Sequence, residues 1–181
     1  MKKHIPNMIT AFRLVLIPVF IFLVLNDYTV AAAFVFLGAS LSDLLDGYLA
    51  RKWKAVSNFG KLFDPLADKA IQISAILLLC VIGRLHFAFI IILGIKEALM
   101  IYGSYLLYKK KVVVFAVWYG KAAAFLLNAA VFWSYVLSIP NYLTNAFMAV
   151  AMAAELFALT LYTIRYFKLK KSAATESASE Q

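Results

Sequence analysis

At 181 residues, 65% of them hydrophobic, and with only 18 basic and 9 acidic side chains, the chain is too apolar for an ordinary soluble domain. Its net charge of +9 does not describe a nucleic-acid surface, because the cations stand in short clusters between apolar blocks. A single cysteine, Cys80, excludes an intrachain disulfide and sits mid-segment, where it reads as an inert core residue.

The apolar blocks run to about 18 residues or more, the length that crosses a bilayer. They predict an all-α, polytopic membrane protein with six transmembrane helices and a short interfacial N-terminal helix. Two lysines before an apolar run give the N-terminus the look of a signal peptide, but Arg13 inside the run is out of place in a signal core, and the segment is expected to be retained. An interfacial turn of helix over Pro6 to Arg13 leads into a first span ending near Leu25. The second span covers Tyr28 to about Arg51, the third Leu66 to about Gly83 and the fourth Leu85 to about Tyr108. The fifth covers Val112 to about Ser138, where Pro140-Asn141 marks a turn, and the sixth runs from Leu143 to about Phe167. Residues 1–171 thus form one membrane domain, and 172–181, small and polar, a disordered tail.

Charge placement agrees with six spans. Lys2 and Lys3, then Arg51, Lys52, Lys54 and Lys61, then Lys109 to Lys111, then Arg165, Lys168, Lys170 and Lys171 all fall on one side; the connections of the other side hold Arg84 alone. The positive-inside bias puts both termini and the link between spans two and three in the cytoplasm.

That link joins the segments of chemical interest. Asp43 and Asp46 are three apart and Asp64 and Asp68 four apart, spacings that put each pair on one helix face. A helical hairpin would bring the two acidic faces together at the membrane surface, where four carboxylates repel unless a cation neutralises them. Helix-end decoration is the alternative: Asp64 before Pro65 suits an N-cap, and Asp68 a first helical turn. It does not serve Asp43 and Asp46, which lie near a helix C-terminus where the dipole disfavours anions. Oxygen-only donors select Mg²⁺ or Mn²⁺ over zinc, and two such ions could bridge a substrate's phosphates in an in-line displacement. Gly47 and Gly60 allow close backbone approach to a bulky ligand, or are simple packing residues. Arg51 is suited to clamp a phosphate, whereas a positive-inside anchor describes Lys52 and Lys54 better.

The pattern Asp-x₂-Asp-Gly-x₂-Ala-Arg-x₈-Gly-x₃-Asp-x₃-Asp is matched at Asp43, Asp46, Gly47, Ala50, Arg51, Gly60, Asp64 and Asp68. It resembles the signature of the CDP-alcohol phosphatidyltransferases at all eight fixed positions, and the likeness in length and layout extends over about residues 5 to 170. The resemblance implies transfer of a phosphatidyl group from CDP-diacylglycerol to an alcohol, release of CMP, a need for Mg²⁺ or Mn²⁺, and a homodimer in the membrane lipid. It implies metal ligation by Asp43, Asp46, Asp64 and Asp68, with Asp68 the base that takes the acceptor's hydroxyl proton. Asp43, Gly47, Ala50, Arg51 and Gly60 would then shape the CDP pocket.

The acceptor is read outside the signature. Pro6-Asn7-x-x-Thr10-x-x-Arg13 resembles the opening of the branch that makes phosphatidylglycerophosphate, as does Tyr119-Gly120-Lys121, although the usual Lys-Thr that follows is replaced by Ala123-Ala124. Lys96-Glu97 stands where that branch usually shows Arg-Glu. Thr10, Arg13, Lys96 and Lys121 are therefore the candidate acceptor residues, and the three cations suit an anion such as glycerol 3-phosphate. A plainer account pairs Lys96 with a carboxylate elsewhere and lets Lys121 snorkel; Glu155, alone in the sixth span, would pair with a buried cation. The alternatives are a cardiolipin synthase of the same family, with phosphatidylglycerol as acceptor, a cation transporter using intramembrane carboxylates, and a non-catalytic scaffold. No internal repeat favours a transporter. The localisation expected is a bacterial inner membrane.

Overall fold

The computed structural model describes the backbone of residues 5–53, 58–109, 118–137 and 139–179, and side chains within 12–42, 67, 69–103, 118–137 and 139–164. The fold is all-α among these residues: α1 (Ile5–Leu25), α2 (Thr29–Trp53), α3 (Asn58–Val81), α4 (Ala88–Lys109), α5 (Trp118–Val136) and α6 (Asn141–Ser179). Each helix overlaps one expected apolar segment, the start expected for the fifth at Val112 lying outside the described residues, and three differences stand out. The interfacial turn is not separate, because residues 6–13 are the first half of α1, whose run to Leu25 contains Pro18 without a break. The third helix starts at Asn58, not Leu66. The sixth continues through 172–179, where Ala and Glu are good helix formers, instead of ending near Phe167.

Tight turns fix the neighbours. Between α1 and α2 the chain reverses in three residues: Asp27 takes φ 64°, and the amides of Asp27 and Tyr28 bond back to the carbonyls of Val24 and Leu23 at 3.1 and 2.9 Å. Aspartate is one of the few non-glycine residues that enters this left-handed region at small cost. After α3, Gly83 (φ 76°) ends the helix, with Arg84 N bonding to Leu79 O at 3.0 Å as in a Schellman cap.

Alanines make α2 the central staff. Ala32, Ala33 and Ala39 are fully buried and let neighbouring backbones come close, as small residues do in membrane bundles. Phe20, Phe36, Ile71, Ile76, Leu79, Leu127, Val131 and Met148 fill the space around them. Phe20 packs edge-on against Tyr135, ring centroids 5.5 Å apart, and the Tyr135 hydroxyl donates to the Ala75 carbonyl at 2.7 Å.

The surface is the reverse of a soluble protein's. Phe22, Phe34, Ile91, Ile95, Ile101, Phe125, Val150 and Phe157 point outward, while Arg13, Gln72, Lys96 and Glu155 are buried. Among the described residues, Asn141–Ile164 is long and apolar enough to cross a membrane, and Phe12–Leu25, Thr29–Ser42 and Lys69–Val81 are shorter apolar helical stretches. Apolar side chains outward and charges inward is an arrangement suited to lipid, in which outward apolar side chains cost nothing and inward charges must be paired.

Candidate functional site

The four-residue link between α2 and α3 makes them a hairpin, and the two helices pack on each other. Counting from that link, Asp43 and Asp68 each lie ten residues into their helices, and Asp46 and Asp64 seven and six. At 1.5 Å per residue the first two sit about 15 Å from the link and the second two about 10 Å, so the acidic pairs occupy matching levels on neighbouring helices. The early start of α3 also removes the capping explanation of Asp64. With the helix beginning at Asn58, no acidic residue stands in its first turn. The side chains of Asp43, Asp46, Gly47, Ala50, Arg51, Gly60, Asp64, Asp68 and Thr10 lie outside the described residues, and their positions are those of the backbone alone. The described side chains hold no group of three or more His, Cys, Asp or Glu.

The same level recurs around the bundle. Measured from the helix ends at the opposite face, Arg13 on α1 is twelve residues away, Asp43 on α2 fourteen, Asp68 on α3 thirteen and Glu155 on α6 fourteen. These rises place all four in a layer about 18–21 Å from those ends. Arg13 is completely buried, on the helix that packs against both α2 and α3. A guanidinium so enclosed is kept only in anionic or polar company.

A line of alternating charge crosses this layer. Glu97 Oε1 accepts from Lys69 Nζ and from Lys96 Nζ, each at 2.8 Å, and Lys96 Nζ reaches Glu155 Oε2, also at 2.8 Å. Lys69 belongs to α3, Lys96 and Glu97 to α4, and Glu155 to α6. From Lys69 the line turns to α5, since its Nζ lies 3.5 Å from Gln72 Oε1 and Gln72 Nε2 donates to Asn128 Oδ1 at 3.0 Å. Two lysines and two glutamates leave the group neutral, the condition under which charges survive in a bundle interior. Lys96, expected among the acceptor residues, therefore has two carboxylate partners in this structure, and one is Glu155, the lone acid of the sixth span. Lys121 is exposed near the start of α5. Beside it, Gly120 faces the Tyr162 ring so closely that an added Cβ would lie 2.7 Å from the hydroxyl, and the Tyr119 ring stacks obliquely on Tyr162 at 5.5 Å.

Lys69, Gln72 and Asn128 are the polar residues that the sequence reading passed over. The signal was available: Gln72 falls one turn after Asp68 on the same face of α3, and Lys69 is a charge inside an apolar segment.

Carboxylates at two matching levels on adjoining helices form an oxygen-only donor set of the kind that suits a hard divalent cation, and Asp43, Asp46, Asp64 and Asp68 are the residues that could hold one. Comparison with known proteins identifies the family. A protein of Mycoplasma genitalium named CDP-diacylglycerol–glycerol-3-phosphate 3-phosphatidyltransferase is 40% identical over 140 residues, covering 66% of this chain and 59% of that protein. One of the same name from Mycoplasma pneumoniae is 30% identical over 211 residues, covering 93% of this chain and 92% of its own length. Another from Aquifex aeolicus is 28% identical over 174 residues, covering 92% and 97%. The match of residues 3–160 to the CDP-alcohol phosphatidyltransferase model takes in α1 to α5, about half of α6 and all four aspartates, and this chain belongs to that family.

Proposed function

We propose that the protein transfers the phosphatidyl group of CDP-diacylglycerol to a hydroxyl of glycerol 3-phosphate, giving phosphatidylglycerophosphate and CMP. The observation that carries this reading is the end-to-end alignment with a relative named for that reaction, in a chain whose eight-position acidic signature lies on adjoining helices at matched depth. The protein spans the cell membrane six times, with the reaction at the cytoplasmic face. There a water-soluble acceptor meets a donor whose tails stay in the bilayer, and the enzyme works as a homodimer.

In the reaction the acceptor oxygen attacks the phosphatidyl phosphorus, its proton passes to the Asp68 carboxylate, and the bond from that phosphorus to the CMP oxygen breaks. An alcohol is a poor nucleophile near neutral pH, so a carboxylate held beside it contributes directly to rate. Asp43, Asp46, Asp64 and Asp68 would hold two Mg²⁺ or Mn²⁺ ions, which when bound would supply charge neutralisation on the pyrophosphate. Asp43, Gly47, Ala50, Arg51 and Gly60 shape the CDP pocket, with Arg51 a bidentate phosphate partner. Thr10, Arg13 and Lys121 serve the acceptor, whereas Lys96, expected beside them, follows the plainer account because Glu97 and Glu155 take up its ammonium; Arg13, buried in the aspartate layer, is the best supported of the three. The deciding measurement is CMP release by purified protein with CDP-diacylglycerol and Mn²⁺, acceptor by acceptor. Turnover with glycerol 3-phosphate is expected. Turnover with phosphatidylglycerol, inositol phosphate or serine but not with glycerol 3-phosphate would reject the acceptor, and no CMP with any alcohol would reject the reaction.

A further inference from the structure

Glu155 has no place in the reaction just described, yet it anchors the buried end of the charge line beside it. We infer that Glu155 is a positioning residue: by occupying Lys96 it leaves Glu97 able to hold Lys69, and so keeps the segment of α3 that carries Asp64 and Asp68 registered on α4 and α6. The consequence for turnover rests on the proposed reaction; the tether itself does not.

The direction of the effect follows from burial. Along the line the side chains are 8% exposed at Glu155, 2% at Lys96, 13% at Glu97 and 35% at Lys69. With Glu155 neutral, two ammonium groups share one carboxylate. Lys96 cannot reach water, and an uncompensated buried charge is far more costly than the loss of a half-exposed pair. Glu97 therefore turns to Lys96, and Lys69, which has water available, is released. The disturbance begins on α6 and is felt on α3, at the residue next to Asp68.

Near its start α4 is seated on the core by Phe89, Ile90 and the fully buried Leu93, but toward Lys96 and beyond it has little else to register it. From there on Lys96 is the one buried residue among those described, and Ile95, Leu99 and Ile101 face outward. Lipid is as apolar as these outward side chains, so they give this half of α4 no preferred position on the bundle; the ion pairs do.

The test uses the full chain purified in detergent. Acylation of Lys69 by a water-soluble amine-reactive ester, read by mass spectrometry, is expected to quicken severalfold in Glu155→Gln and to return toward the parent rate in Glu155→Asp. For CMP release, kcat is expected to fall about tenfold in Glu155→Gln with KM for donor and acceptor nearly unchanged, because a small displacement of reacting groups costs rate more than binding. In a Lys69→Gln background the same substitution should cost nothing further, since the tether is already cut. An unchanged acylation rate overturns the inference whatever the activity does. A kcat loss that repeats in full in the Lys69→Gln background overturns it too, as the mark of a loosened bundle, and so does a change confined to KM for the acceptor. If Glu155→Gln does not fold, Lys69→Gln alone must reproduce the fall in kcat, and parental kcat there sinks the idea. A parent that releases no CMP, combined with faster acylation in Glu155→Gln, rejects the reaction and upholds the tether.

Discussion

The two ends of this bundle are built from different materials. Around the turns 26–28 and 82–87 and the start of α6, backbone and side chains knit the helices together. Arg84 Nη1 donates to the Ser134 carbonyl at 3.0 Å, Asn141 Nδ2 to the Gly83 carbonyl at 2.9 Å, and Asn145 Oδ1 accepts from the His86 amide at 3.1 Å. Toward the α2–α3 link the chain instead carries paired aspartates, a buried arginine and the charge line through Glu97. Hydrogen bonds to backbone carbonyls and amides, Arg84's included, hold one geometry whatever is bound, whereas concentrated charge holds its geometry only when a counter-charge is present. The first end keeps the helices in order, and the second is where a charged substrate and its ions can be received.

Substitutions at the two ends should therefore separate activity from stability. The largest effect belongs to Asp68→Asn. As the proposed base it should lose about 10²–10⁴-fold in kcat, with CDP-diacylglycerol still bound, and retained turnover would reject its assignment. Removing divalent ions with a chelator should abolish CMP release, with recovery on adding Mg²⁺ or Mn²⁺ and none on adding Zn²⁺. Recovery by zinc alone would contradict an oxygen-only site.

A smaller effect tests how tightly the reactive end is packed. Gly120→Ala brings a methyl within 2.7 Å of the Tyr162 hydroxyl and 3.0 Å of its ring, so the ring must swing off its contact with Tyr119 or α5 and α6 must part. Overpacking of this kind costs about 1–3 kcal/mol, to be read as a lowered unfolding temperature in detergent. Adding Tyr162→Ala should relieve it. At the other end, Asn145→Ala removes bonds to His86 N, to the Arg84 carbonyl (3.4 Å) and to the Asn141 carbonyl (2.6 Å). It should destabilise by about 1 kcal/mol and leave kcat alone. A kcat that fell with it would erase the distinction between the ends.

What the sequence revealed follows the same division. The aspartate pairs were legible because a carboxylate in an apolar chain is costly wherever it falls, and their spacing is local, within a turn of one helix. Helix number and order were legible from the apolar blocks, and Glu155 was legible as an acid in want of a cation. Its partner was harder to see. Lys96 and Glu155 are 59 positions apart, and only the approach of α4 to α6 decides that they meet. The start of α3 was misjudged because Pro65 reads as a first helical turn, and nothing local says that the helix begins at Asn58 and runs past it. The knitted end was invisible for a plainer reason: Ser134, Asn141 and Asn145 are ordinary turn and helix-end residues until the 82–87 loop is brought against them.

The smallest predicted effect is the most searching. The Tyr135 hydroxyl donates to the Ala75 carbonyl at 2.7 Å, from α5 to α3, and the ring packs on Phe20 of α1. Tyr135→Phe keeps the ring and its packing and deletes one interhelical hydrogen bond. The Ala75 carbonyl retains its own helical donor four residues on, so no acceptor is orphaned. In a membrane bundle such a bond averages about 0.6 kcal/mol, because helices separated in lipid also find partners for their polar groups. A fall of that size in unfolding free energy is expected, with kcat at the parental value. Ala75 stands seven residues beyond Asp68 on the same helix, roughly 10 Å along its axis. If kcat dropped by more than the lost stability accounts for, α3 would be passing strain from the knitted end to the charged one, and the two ends would have to be treated as a single device.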